Sequence, residues 1–176
     1  LAQFVSVLYS IVYRIYISNI PEIGDLALAG VGVCGPVVTM MGAFASLIGI
    51  GGAPLMSIRM GAGKREEARQ ILANSFLMLV VCGQGLTAAV LPLQRGMLLA
   101  FGASEATYPH AAAYFGVYLW GTVFNLLALG LNQFVIGQGF ARKGMFSVML
   151  GAVLNIVLDP VFIFLLDTGV RGAAVA

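Results

Sequence analysis

Charged residues are nearly absent from this chain: 9% of its 176 positions are Asp, Glu, Lys or Arg, against about 25% in a soluble domain. So few charges cannot cover the surface of a soluble globule, and that class is excluded. The charges present are confined to short gaps. Residues 26–58 and 70–94 carry none, residues 106–141 have only His110, and residues 144–166 have only Asp159. A helix needs about 20 apolar residues to cross ~30 Å of hydrocarbon. Each run reaches that length, and 60% of the chain is hydrophobic. The fold class that follows is an all-α polytopic membrane protein, a helix bundle with the bilayer as its solvent.

Other absences narrow the function. The net charge is only +2, and no basic cluster with interleaved aromatics exists, so no nucleic-acid partner is expected. Cys34 and Cys82 sit in separate apolar runs without CxxC or ligand spacing. Both read as small apolar packing residues. No nucleophile, base and oxyanion-stabilising set is visible, and no metal-ligand cluster. The expectation is therefore no enzyme, no catalytic residue, no metal and no cofactor. The chain has no starting Met and no signal peptide. Leu1 to Tyr13 is too short to span and reads as the second half of a helix. After Arg171 the sequence turns apolar again and stops. Both ends suggest a piece of a longer protein.

What is present divides into five apolar segments. The first ends near Ser18, and Pro21, Glu22, Gly24 and Asp25 mark the turn after it. The second covers about Leu26–Ile58, followed by the charged stretch Gly61–Arg69. The third covers about Gln70–Leu93. After the gap at 94–109, with Ser104 as a helix N-cap, the fourth covers about Ala106–Gln138. A polar break at 139–144 precedes the fifth, about Met145–Leu166. Pro36 and Pro54 predict kinks in the second segment. Basic residues set orientation. Arg59, Lys64, Arg65, Arg69, Arg142 and Lys143 lie on one side, against Arg14, Arg95 and Arg171 on the other. The loops at Lys64 and Lys143 are thus expected in the cytoplasm.

Asp159 is the first candidate for chemistry. It lies inside Gly151–Phe164, an otherwise uncharged run. An ionised Asp at a helix centre costs about 2.5–3.5 kcal/mol on insertion scales. A water-filled cavity, a bound cation or a proton can offset that cost. Asn155 lies one turn earlier on the same face. Pro160 lacks an N–H and frees the Ile156 carbonyl from its usual helical partner. Asn155, Asp159 and that carbonyl can hold a proton, a hydronium or Na⁺. The alternative is an Asp at the helix mouth, wetted by headgroups or capping the break at Pro160.

The fourth segment carries Tyr114, Phe115, Tyr118, Trp120, Asn125, Asn132 and Gln133. Aromatics with scattered amides suit a cavity for flat, amphipathic cations. Ordinary aromatic packing with interhelical hydrogen bonds accounts for them equally well. His110, beside Pro109, reads as an interfacial residue. Gly30-Val-Gly-Val-Cys-Gly35 fits GxGxxG, but it has no βαβ context and no acid about 20 residues on. Close helix packing explains it better. Ala45, Gly49, Ala53 and Ser57 form a small-residue stripe that admits a neighbouring helix.

Taken together, these stretches resemble the multidrug and toxic compound extrusion (MATE) transporters, in particular the N-terminal half of the bacterial drug exporters. The resemblance rests on Ala27–Val33, Ile48–Leu55, Gly61–Lys64 with Ala73–Phe76, Phe101–Glu105, and Leu154–Phe164 followed by Val170–Ala174. They occur in the family's order across nearly the whole chain. The resemblance implies twelve transmembrane helices in two lobes, with amphipathic cationic small molecules extruded in exchange for H⁺ or Na⁺. Residues 1–176 would form the N-terminal lobe: the end of the first helix, helices two to five, and the start of the sixth. The C-terminal lobe would be absent from this chain, and the location would be the inner (plasma) membrane.

In the family, a cation site uses an Asp on the first helix, an Asn and Asp one turn apart on the fifth, and a Thr on the sixth. Asn155 and Asp159 match the helix-five pair, and the Thr would fall beyond Ala176. The first helix departs from the pattern. It reads Tyr9-Ser-Ile-Val-Tyr-Arg-Ile15, with Ser10 at the usual Asn and Tyr13 at the usual Asp. A phenol does not titrate as a carboxyl does. That disfavours Na⁺ and leaves three expectations: Asp159 carries coupling alone, the other lobe carries it, or transport is impaired. The expected function is multidrug efflux by cation antiport with alternating access, H⁺ favoured over Na⁺. A flippase of lipid-linked precursors or polysaccharides is the alternative, but it calls for basic residues on a cavity, and segments two to five offer none. A non-transporting membrane scaffold or degenerate fragment is the second alternative.

Overall fold

The computed structural model describes residues 2–165 and 170–175. It is helical throughout, with no strand among the described residues. The elements are α1 (Ala2–Ser18), α2 (Gly24–Gly61), α3 (Arg65–Ala100), α4 (Tyr108–Gly137), α5 (Ala141–Pro160), a π-helical turn (Val161–Leu165) and α6 (Val170–Val175). Four helical stretches are long and apolar enough to cross a membrane: Gly24–Gly61, Arg65–Ala100, Tyr108–Gly137 and Ala141–Ile163.

α2 and α3 outrun their apolar segments at both ends. At 38 and 36 residues, α2 and α3 are each over 50 Å long at ~1.5 Å per residue, well beyond ~30 Å of hydrocarbon. Thus α3 begins in the charged stretch, at Arg65, and continues past Leu93 to Ala100. Gln94 and Arg95 find partners that make this extension worthwhile. Gln94 Nε2 donates to the Ala112 carbonyl at 3.2 Å, and the Arg95 guanidinium lies 6.0 Å from the centre of the Tyr108 ring. The expected turn signals act as read. Ser104 and Thr107 cap α4 reciprocally: the Thr107 N–H donates to Ser104 Oγ, and the Ser104 N–H donates to Thr107 Oγ1. Both Pro36 and Pro54 are accommodated without interrupting α2.

Helix ends are closed by one repeated device. Gly63, Gly102 and Gly139 follow α2, α3 and α4 with φ of +76°, +102° and +87°. The Gly63 N–H donates to the Met60 carbonyl, and the Lys64 N–H reaches back to Arg59. The same pair of bonds recurs at Gly102–Ala103 and Gly139–Phe140. These are Schellman motifs, which satisfy carbonyls that a helix end leaves open.

Two compact units are present. The first comprises Leu1–Val37, Val90–Gly121 and Phe146–Ala176, the second Val38–Ala89 and Thr122–Met145. In the first, Ile17, Ile20, Ala27, Ile163, Val170 and Ala173 form the core, with Tyr13 and Tyr114 packed against it. Gly30 brings α2 onto α4 there: a Cβ would lie 2.9 Å from the Ala111 nitrogen. Gly32 and Gly35 face open space, so the packing role of the glycine motif rests on Gly30. Cys34 packs beside it, its thiol 3.4 Å from the Gly30 carbonyl and 3.6 Å from that of Ala111.

The second unit has two cores. Ala45, Ile48, Leu79 and Leu126 form one, and Ala53, Met56, Ala68 and Phe134 the other. The small-residue stripe of α2 lies against α4 as expected. A Cβ at Gly49 would meet the Gly130 carbonyl and Gln133 Cγ, each at 2.8 Å, and Ser57 Oγ donates to the Gly137 carbonyl at 2.6 Å. Large apolar side chains such as Leu47 (72% exposed) and Phe124 (75%) remain uncovered, as a lipid-facing surface requires.

Two neighbouring glycines of α2 should respond oppositely to alanine. At Gly49 the contact is with backbone, which cannot swing aside. Gly49→Ala should cost about 1–3 kcal/mol by overpacking. Gly51 has nothing within 4 Å of its added methyl, so Gly51→Ala should gain ~0.5–1 kcal/mol from helix propensity. Thermal or denaturant unfolding of the intact protein in micelles reads both, and equal responses would refute the close α2–α4 approach.

Candidate functional site

The cation-site candidates Tyr13, Asn155 and Asp159 meet where α1 faces α5. Tyr9 and Tyr13 are one turn apart on α1, and Asn155 and Asp159 one turn apart on α5, so each pair shares a face. Asn155 Nδ2 donates to Tyr9 Oη at 3.2 Å. The Tyr9 and Tyr13 rings lie 5.8 Å apart, tilted by 41°. Both phenols are close enough to Asp159 to interact with it electrostatically. The cluster therefore holds two phenols, one amide and one carboxyl.

Its polar inventory is incomplete. Asp159 is 1% exposed. Neither of its carboxylate oxygens has a hydrogen-bond partner among the described residues, and the same holds for the Tyr13 hydroxyl. Leaving a buried polar group unpaired costs about 1–3 kcal/mol, and an uncompensated buried charge several. The reading of Asp159 as a headgroup-wetted residue at the helix mouth does not fit this burial. Tyr13, across the cluster from Asp159, packs on the core that Ile17 and Ile163 help to form. Pro160 follows Asp159 directly, and the chain then widens into the π-helical turn. A proline that interrupts the hydrogen-bond ladder accounts for the irregularity.

On α4, Tyr114 stacks on Tyr118 at 6.3 Å and 15°, and Phe115 on Tyr118 at 6.2 Å and 9°. Tyr114 also faces Tyr13, and the two hydroxyls lie close to hydrogen-bond reach of each other. This joins the aromatic stack to the α1–α5 cluster. Trp120 stands apart, 76% exposed. Asn125, Asn132 and Gln133 belong to the second unit. There Asn132 abuts Gly144 and Gln133 abuts Gly49, so both take part in helix packing. His110 is half-buried in the first turn of α4. No group of three His, Cys, Asp or Glu able to hold a metal occurs among the described residues.

Tyr9 is the residue that sequence reasoning missed. Its signal was its spacing, one turn before Tyr13, which puts it on the face that meets α5. The two phenols make a testable contrast. Tyr9→Phe removes the acceptor of Asn155 and should cost about 0.5–1.5 kcal/mol. Tyr13→Phe removes a hydroxyl that makes no hydrogen bond of good geometry and only faces that of Tyr114, so it should cost less than Tyr9→Phe. Unfolding of the two variants of the intact protein checks this, and an equal loss in both would contradict the geometry.

Comparison with known proteins gives this cluster a context. The MatE family model matches residues 1–161. The multidrug export protein MepA of Staphylococcus haemolyticus is 28% identical over 99% of this chain and 39% of its own length. An FAD transporter of Shewanella oneidensis is 25% identical over 89% of this chain and 36% of its own. A crystal structure of a MATE protein in the bent conformation superposes with a TM-score of 0.89 at 31% identity, covering 99% of this chain and 38% of that one. The chain thus spans about two-fifths of the length of the relatives it matches. With its membrane-length helices and a family match over most of its residues, this chain is a multi-pass membrane protein and belongs to the MatE family, that of the multidrug and toxic compound extrusion transporters.

Proposed function

We propose that residues 1–176 form the N-terminal lobe of a secondary transporter that exports amphipathic cations in exchange for protons. The observation that carries this reading is Asp159: a carboxyl buried inside a membrane helix, with no hydrogen-bond partner on either oxygen among the described residues. An intramembrane acid is costly and marks a proton or ion path by default. Asp159 is the group that takes up and releases the coupling proton. The neutral acid suits the closed apolar surroundings, and the anion requires water or a counter-charge.

Protons are preferred over Na⁺ because the cluster offers a single carboxyl. Hard cations are held by several oxygen ligands with compensating negative charge. Tyr13, where the family's second Asp would stand, supplies a phenol instead. Tyr9 acts as a positioning residue by holding Asn155 beside Asp159. The stacked Tyr114, Phe115 and Tyr118 offer flat π faces to a planar cation. The proposed location is the inner membrane, with the Lys64 and Lys143 loops in the cytoplasm. Completing the transporter requires a second lobe, around which alternating access can operate. The multidrug export relative supports this cargo class. An anionic cargo, as in the FAD transporter relative, would want cationic side chains in the spans, and α2 carries none between Leu26 and Ile58.

The test is export of ethidium from everted vesicles containing the intact parent protein, under separate H⁺ and Na⁺ gradients. Wild type should export under the H⁺ gradient, and Asp159→Asn should fall to the level of vesicles lacking the protein. Tyr13→Asp should add a response to Na⁺ by restoring a second carboxyl beside Asp159. Unimpaired H⁺-driven export by Asp159→Asn would move coupling away from this lobe.

A further inference from the structure

We propose that the groove at the start of α3 binds one anionic phospholipid, its phosphate on Arg65 and Arg69 and an acyl chain along Leu72 and Phe76. Two adjoining cavities of the second unit define the groove. One, of about 410 Å³, is lined by Arg69, Leu72, Ala73, Phe76 and Leu131. The other, of about 340 Å³, adds Met56, Met60, Arg65, Ala68 and Gln138 to Arg69 and Leu72. Arg69 and Leu72 line both, so the two cavities lie side by side along α3.

The charged lining of the groove is all basic. Arg65, Arg69 and Gln138 supply guanidinium and amide N–H groups, and no acidic side chain lines either cavity. Of the two acids nearby, Glu67 is held outside the groove and Glu66 is the one that a phosphate on Arg69 would displace. Glu67 is bound by Lys64 at 2.9 Å and Arg59 at 3.2 Å. Glu66 lies 3.4 Å from Arg69 in an exposed pair, which solvent weakens. Arg65 has no ion-pair partner among the described residues. From Arg59 to Arg69 the chain carries four basic residues and two acidic ones, 4 − 2 = +2.

The geometry matches a lipid rather than a free anion. Along α3, Arg65 to Phe76 spans ~16 Å at 1.5 Å per residue. The headgroup layer is only about 5–8 Å deep on each side. The arginines can therefore sit among headgroups while Leu72 and Phe76 face acyl chains. Phe76 is 46% exposed, so the groove opens sideways. Guanidinium groups pair with phosphate through two parallel hydrogen bonds. Basic pockets between spanning helices are the usual form of such sites. This site is independent of the exported cargo and of Asp159.

The test titrates the intact protein in micelles with dioleoylphosphatidylglycerol or dioleoylphosphatidylcholine and follows its Tm. The phosphatidylglycerol should stabilise at lower concentration. Arg65→Gln/Arg69→Gln should weaken that effect roughly 30-fold, from the usual contribution of two basic residues at a membrane surface. Arg142→Gln/Lys143→Gln removes the same charge outside the groove and should leave it within about twofold of wild type. Equal stabilisation by the two lipids would overturn the proposal. So would an equal loss in both double variants, which would mean diffuse surface charge. Full protection by inorganic phosphate would also overturn it, since the acyl chain would then be irrelevant.

Discussion

Hydrocarbon donates and accepts no hydrogen bonds, so each spanning helix must satisfy its own backbone and close its own ends. The long helices, the three Schellman glycines and the reciprocal Ser104–Thr107 cap all answer that requirement. The same solvent removes the hydrophobic force between helices. Close approach must then come from shape and from a few interhelical hydrogen bonds. Gly49 against Gly130, and the Ser57 hydroxyl on the Gly137 carbonyl, are that contact in the second unit. Gly30 against Ala111 is its counterpart in the first.

Against this background, the α1–α5 cluster is the place where the rule is broken. Pro160 interrupts the ladder of α5, and a π-helical turn follows it. Asp159, immediately before, is buried with neither carboxylate oxygen hydrogen-bonded among the described residues. A membrane protein selected for stability alone would place a leucine there. In the proposed reading, an acid kept at such a cost is one that changes charge, and phenols beside it in place of a second carboxyl favour H⁺ over Na⁺.

Much of this was legible in the sequence because charge in a membrane protein marks the gaps. The runs without charge marked the spans, Ser104 marked the start of α4, and the four-residue spacing of Ala45, Gly49, Ala53 and Ser57 pointed to a close helix neighbour without saying which. Asn155 and Asp159 were visible because a helix repeats every turn. The helix ends were less legible. Arg95 and Gln94 looked like gap residues, and only their partners Tyr108 and Ala112, supplied by α4, explain why α3 runs on to Ala100. Tyr9 had no chemical signal until α1 met α5. Trp120 illustrates the opposite limit: an aromatic among aromatics, it projects away from the Tyr114–Tyr118 stack, because a shift of two positions turns a helix by more than half a turn.

The central claim is that Asp159 exchanges a proton when cargo is taken up. The most direct measurement is proton release on ethidium binding by the purified intact protein, in weakly buffered micelles with a pH-sensitive dye. The account predicts release that is saturable with ethidium in wild type and absent from Asp159→Asn, with dye binding still measurable in the variant. Equal release from wild type and variant would contradict it.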